Sequence, residues 1–175
     1  MSDFDRAIEI TLKFEGGLSD HVNDKGGLTK YGISANSYPG IDIRTLTLEQ
    51  AKEIYKRDYW LPLHCDEVMW PVNLCLFDWG VNSGLTRVKR IFQSVLKVGV
   101  DGRIGPKTIV AANMANAIDL SKRLLDHRTE NFINFAKNST TQMDFLKGWI
   151  RRVNELYFIV GQASEQMDNS KNKRL

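Results

Sequence analysis

Along most of this chain apolar residues return every three or four positions, and the pattern breaks decisively only once, between Leu18 and Ile33. A period of 3.6 residues gathers such residues on one face of a helix. A chain with that period in segment after segment is confined to a mainly α body. The exception, preceded by the pair Gly16-Gly17, carries the pair Gly26-Gly27 and the β-formers Val22, Thr29, Tyr31 and Ile33, which suit a short irregular hairpin and are too few for a sheet. The hairpin follows directly on the first helix. There Ser2 is placed to cap, Asp5 stands three residues on, and Phe4, Ile8 and Leu12 form the stripe. Glu15 is the next step of that stripe, and Gly16-Gly17 ends it.

The remaining helices follow from similar signals. In TLEQAKEIYKRDYW, Thr47 is an N-cap with Gln50 at the third helical position, and Ala51, Ile54 and Tyr55 share a face. Another helix runs from Pro71 through VNLCLFDWGVNSG to Gly84, and a further one from about Thr86 to Lys97 carries Val88, Ile91, Phe92 and Val95. The glycine-marked loop VGVDGRIGPKT leads into a helix from Pro106 to Met114. Two longer helices close the chain, Asp119 to Lys137 and about Thr141 to Gly161, while the polar run after Ser164 has no apolar face and is expected to fray. With 175 residues the chain fits one domain-sized body. A composition shift near Gly99 to Gly105 suggests a lobe boundary inside one body, with an amino-terminal lobe over 1–90, a helical lobe over 91–164 and a polar tail over 165–175.

Composition narrows the function classes. No apolar run approaches the roughly 20 residues of a membrane helix, and 42% hydrophobic with 26% charged residues is ordinary for a soluble protein. Asp3, Asp5 and Glu9 stand where a secretory signal would be basic and then apolar, so synthesis in the cytoplasm without a signal peptide is expected. The formal charge of +3 is spread along the chain, with only KNKR clustered, which argues against nucleic acid as a partner. Cys65 and Cys75 have only His64 nearby, too few ligands for zinc, and read as reduced, partly buried thiols. His21, His64 and His127 lie apart and read as structural. Neither a metal nor a cofactor is expected.

The chemistry gathers at Glu15. Burial disfavours the charged form of a carboxyl, and the partial negative charge of a helix C-terminus acts the same way. An acid on the apolar stripe is therefore suited to donate a proton near neutral pH. Within the next sixteen residues come Asp20, His21, Asp24, Thr29 and Tyr31. Glycoside hydrolysis requires one carboxylic acid to protonate the leaving oxygen and commonly a second carboxylate for water or the cationic sugar. Asp24 or Asp20 could supply the second, and Thr29 could hold the attacking water. Tyr31, Tyr59, Trp60 and Trp79 offer flat rings for a glycan groove, Asn82 an amide for an N-acetyl group, and Asp78, one turn before Asn82, an anchor for the groove.

The order Glu15, eight residues, Asp24, four residues, Thr29, then Tyr31-Gly32-Ile33 resembles the Glu–Asp–Thr arrangement of phage-type lysozymes. The combination EGG, VND, GG-x-T and YGIS, followed by FDWGVNSG, VDGRIGPKT and FLKGWIRRV, resembles glycoside hydrolase family 108, the N-acetylmuramidases of lysozyme-like fold. One departure is plain. The family's proline-rich loop of the type DPxDPGG reads DHVNDKGG here, without proline from Leu18 to Tyr38.

The resemblance implies a mainly α, lysozyme-like body with one small hairpin beside the first helix. Its implied activity is cleavage of the β-1,4 bond between N-acetylmuramic acid and N-acetylglucosamine, with Glu15 as general acid. The second part resembles a region taken as peptidoglycan-binding in such proteins. The expected partner is the peptidoglycan glycan strand, the expected state a monomer, and the expected place of action the periplasmic wall. Release there would depend on a phage holin or a toxin-secretion system. A lytic transglycosylase and a non-catalytic wall-binding protein, the latter suggested by DGRIGPKT, are the alternatives.

Overall fold

The computed structural model describes residues 1–15, 28–137 and 140–172. Asp20, His21 and Asp24 lie outside the described residues. Helix α1, Asp3–Glu15, starts as its sequence implies: Ser2 Oγ accepts the Asp5 N–H at 3.1 Å while Asp5 Oδ2 accepts the Ser2 N–H at 3.0 Å. It buries Phe4, Ala7, Ile8 and Thr11 and leaves Leu12 half-buried. Strands β1, Thr29–Lys30, and β2, Ile33–Ser34, pair antiparallel with Thr29 opposite Ser34 and Lys30 opposite Ile33. Tyr31 and Gly32 connect them at φ of 53° and 77°. Two left-handed residues make a turn whose twist matches that of the strands.

Helix α2, Leu48–Tyr55, has the Thr47–Gln50 capping box that its sequence implied. It then widens into a π turn over Lys56–Trp60, closed by the Leu61 N–H on the Lys56 carbonyl. The wider turn moves the apolar face on by one residue. Trp60 therefore follows Tyr55 into the core, where its ring meets Phe4 at 5.4 Å and Phe77 at 5.5 Å edge-on, and its Nε1–H donates to Asp66 Oδ1 at 2.7 Å.

Helix α3, Val72–Ser83, is buried without interruption from Val72 to Gly80. A helix apolar on all sides belongs at the centre, and α1, α4 and α6 pack around it. A Cβ on Gly80 would come within 2.6 Å of Leu63 Cδ1, so only glycine allows that approach. Helix α4, Leu85–Val95, follows after the single residue Gly84 and contains position 90, the expected lobe division. Helix α5, Pro106–Met114, leads to the long pair α6, Ala117–Lys137, and α7, Thr140–Asn172.

Two expectations change here. The segment after Ser164 continues α7 as helix rather than fraying. Its last buried apolar residue is Ala163, and beyond it each further residue adds a hydrogen bond to an existing helix without paying for a nucleus. The thiols of Cys65 and Cys75 are free and fully buried rather than partly so, and burial pushes Cys75 up to about 12. The result is a mainly α, lysozyme-like fold with one small hairpin, and no described helix is long and apolar enough to cross a membrane.

Candidate active site

Glu15, at the last turn of α1, is not an isolated acid on an apolar stripe. Its Oε1 accepts from Arg152 Nη1 of α7 at 2.7 Å. Arg152 Nε donates to both oxygens of Asp78 on α3, at 2.8 and 2.7 Å, and Arg128 Nη1 of α6 reaches Asp78 Oδ2 at 3.3 Å. Charges alternate along this chain of four side chains. The inner pair, Asp78 and Arg128, is fully buried, Arg152 is 7% exposed, and only Glu15, at 20%, reaches solvent appreciably. Burial would raise Asp78, but the pull of Arg128 and Arg152 outweighs it and holds the carboxyl below its ordinary range. Burial would lower Arg152 too, yet Asp78 and Glu15 hold it above the usual guanidinium value. Each guanidinium also lies over a ring, Arg152 above Phe14 at 4.9 Å and Arg128 above Phe132 at 5.4 Å. Arg128 Nε and Nη2 and Arg152 Nη2 have no hydrogen-bond partner among the described residues.

The hairpin turn is built onto the acid. A Cβ on Gly32 would stand 3.0 Å from both Cβ and Oε2 of Glu15 and would collide with the Tyr55 hydroxyl. That hydroxyl donates to the Tyr31 carbonyl at 2.8 Å, tying the turn to α2. Burial first, and the Glu15 charge second, push Tyr55 well above the usual phenol value, so it remains a donor.

Beside Glu15 opens a cavity of about 660 Å³, bounded by Lys13, Phe14 and Glu15 of α1, Asn82 of α3 and, on α7, Phe145, Gly148, Trp149, Arg151, Arg152 and Glu155. The α7 rings are stacked: Trp149 lies 4.8 Å from Phe132 and 6.2 Å from Phe145, at interplanar angles of 22° and 25°.

The residues expected from the sequence divide among several places. Glu15 and Asn82 share the cavity, and Tyr31 forms the turn over the acid. Tyr59 is half-buried, 5.7 Å from the Tyr55 ring, and burial raises its phenol, with a smaller contribution from the Glu15 charge. Thr29 stands on β1 opposite Ser34. Trp60 and Trp79 are corrections: at 0% and 1% exposure they are core residues, and a ring without exposed surface cannot meet a sugar. Asp78 is a correction of another kind, since it is fully buried and reaches the cavity only through Arg152.

Sequence reasoning missed Arg152, Phe14, Phe145 and Trp149. Arg152 had a signal: it occupies the apolar stripe of α7 beside Trp149, Val153 and Leu156, as Arg128 does on α6 between Leu124 and Phe132. A charge at a core position on facing helices implies a charged partner.

Known proteins share both regions of this chain and its fold. The family model described as Glycosyl hydrolase 108 matches residues 8–84, and one described as Predicted Peptidoglycan domain matches residues 87–154. No curated protein matches the chain. A solved structure, that of Brucella abortus SagA, is similar at 30% identity with a TM-score of 0.75, over 90% of this chain and 92% of that one. The two regions together support a peptidoglycan hydrolase. With Glu15 and Asp78 in the first region, Arg128 and Arg152 in the second, and the solved relative spanning both, the chain belongs to the glycosyl hydrolase 108 family.

Proposed function

We propose that this glycoside hydrolase is an N-acetylmuramidase, cleaving the β-1,4 bond from N-acetylmuramic acid to N-acetylglucosamine. The supporting observation is an acid at a helix end, Glu15, presented to a cavity and held there by Arg152 at 2.7 Å. In this reading Glu15 protonates the glycosidic oxygen as the bond to the anomeric carbon breaks. Water then adds to the oxocarbenium carbon, losing its proton to a second carboxylate, Asp24 or Asp20, with Thr29 orienting the water. Arg152 stabilises the carboxylate that Glu15 becomes once its proton has left, so the interaction strengthens as the reaction proceeds. Asn82 is placed to receive an N-acetyl group.

The biological setting follows from the substrate. The enzyme acts on the periplasmic wall, as a lysis enzyme released by a holin or as a wall-loosening factor for a secreted toxin. Neighbouring genes distinguish the two. The test of the chemistry is digestion of purified peptidoglycan by wild type, Glu15→Gln and Asp24→Asn, with products identified by mass. Reducing N-acetylmuramic ends from wild type, and at least a ~10³-fold loss in Glu15→Gln, are expected. Products with 1,6-anhydro ends would assign a lytic transglycosylase, and wall clearance by Glu15→Gln at the wild-type rate would remove Glu15 from the chemistry.

A further inference from the structure

The α7 side of the cavity carries rings that the proposed mechanism does not use. Phe145 is 56% exposed, and it lines the same cavity as Glu15. It is not loose. Its ring stacks on Trp149, which stacks in turn on Phe132, a core residue at 2% exposure, so the series runs from the interior to the cavity wall. Between the two cavity-lining rings sits Gly148, where a Cβ would meet no heavy atom within 4 Å. A helix interior disfavours glycine. Here its effect is to leave the floor of the cavity open beside the rings.

We propose that Phe145, backed by Trp149, is a saccharide platform on which a glycan sugar next to the scissile bond lays its apolar face. The platform is supplied by the peptidoglycan-domain region, so that region binds substrate inside the catalytic groove. This rests on the muramidase reading. A pyranose ring exposes C–H groups on one face, and a rigid aromatic surface covers them with little loss of side-chain freedom. Glu15 in the same cavity sets the position of the occupant: a strand with its scissile oxygen at that acid must extend its neighbouring sugar along the cavity wall.

The experiment uses the full chain carrying Glu15→Gln, with glycan strands stripped of stem peptides as the probe, and binding measured by calorimetry. Adding Phe145→Ala is expected to weaken binding about 3- to 10-fold, and Phe145→Trp to restore it. Gly148→Leu, which has room to fold, is expected to weaken it at least ~10-fold by filling the floor. Parental affinity in both Phe145→Ala and Gly148→Leu would overturn the platform, as would failure of the parent to bind the stripped strands. An effect seen only with strands that keep their stem peptides would overturn it too, because α7 would then be reading peptide. The two readings fail separately. Wall clearance by Glu15→Gln at the wild-type rate removes the muramidase assignment, whereas an inactive Glu15→Gln whose binding ignores Phe145 removes the platform alone.

Discussion

Two of the polar networks among the described residues are built in opposite ways. One is the chain Glu15–Arg152–Asp78–Arg128. The other centres on Gln93 of α4, 1% exposed, which donates Nε2 to Asp101 Oδ1 at 2.7 Å, to the Arg103 carbonyl at 2.9 Å and to Thr108 Oγ1 at 3.4 Å. Its Oε1 accepts the Gly102 N–H at 2.8 Å, and Asp101 Oδ1 also accepts the Arg103 N–H at 2.8 Å. The neutral amide closes the loop between α4 and α5 and spends both ends of its side chain on partners 8 to 15 positions away. The charged chain links α1, α3, α6 and α7, keeps guanidinium donors that are unspent among the described residues, and ends in an open cavity. A network closed on itself fixes backbone. One that stops at a cavity wall delivers a group to a ligand. By this measure VDGRIGPKT, the motif that suggested a wall-binding module, is first of all a means of shaping a loop.

Substitutions can break this contrast. The largest effect is expected from Asp78→Ala, which leaves two buried guanidinium groups without their shared anion. A loss of about 3–5 kcal/mol is the usual consequence, read as a fall in Tm of roughly 6–20 °C at about 2–4 °C per kcal/mol. Peptidoglycan digestion at a temperature where the variant is still folded should fall with it, since Arg152 no longer has its anchor. Acid reaches the same group more gently. Asp78 is held below its ordinary value of 3.8 in the folded protein, so its contribution is complete above that pH and disappears as pH falls through the lower folded value. In denaturant titrations of wild type and Asp78→Asn from pH 7 to 2, the stability gap should therefore be constant above 3.8 and narrow below it. A gap that does not narrow below 3.8 would show that the charge of Asp78 is not what stabilises the chain.

Gln93→Ala comes next. Uncovering the Gly102 N–H and its neighbours is expected to cost about 1–3 kcal/mol. Digestion rates below the melting range should not change, and a slowed rate would mean that the two networks are coupled. The smallest change is Thr108→Val, which removes one long hydrogen bond at a 3% exposed position, for about 1 kcal/mol or less in a denaturant titration.

Where chemistry is local, the sequence was easy to read. The caps of α1 and α2 involve partners three residues apart, and both are present. The stripe ending at Glu15 needed only a period. What could not be read is what depends on distance along the chain. Arg152 meets Glu15 across 137 positions, and no local pattern says which acid a buried arginine will find. Trp60 was misplaced for a different reason: the π turn shifts the face of α2 by a residue, and KRDYW carries no mark of the wider turn. Trp79 shared that error because aromatic residues at helical spacing look alike in a groove and in a core, and only packing around α3 separates them. The extension of α7 to Asn172 reflects helix propagation past the last buried contact.

The acids of the charged chain come from the region before Gly84 and its guanidinium groups from the region after Arg87. This limits how such chains can be recombined. An exchange of second halves between relatives at that seam would carry away both counter-charges at once, leaving Asp78 buried without a partner and the acid without its anchor. A viable chimera must inherit Arg128 and Arg152, or their equivalents, along with the new half. Any attempt to graft new wall specificity onto this chain therefore has to treat the two helices that bear them as part of the candidate active site.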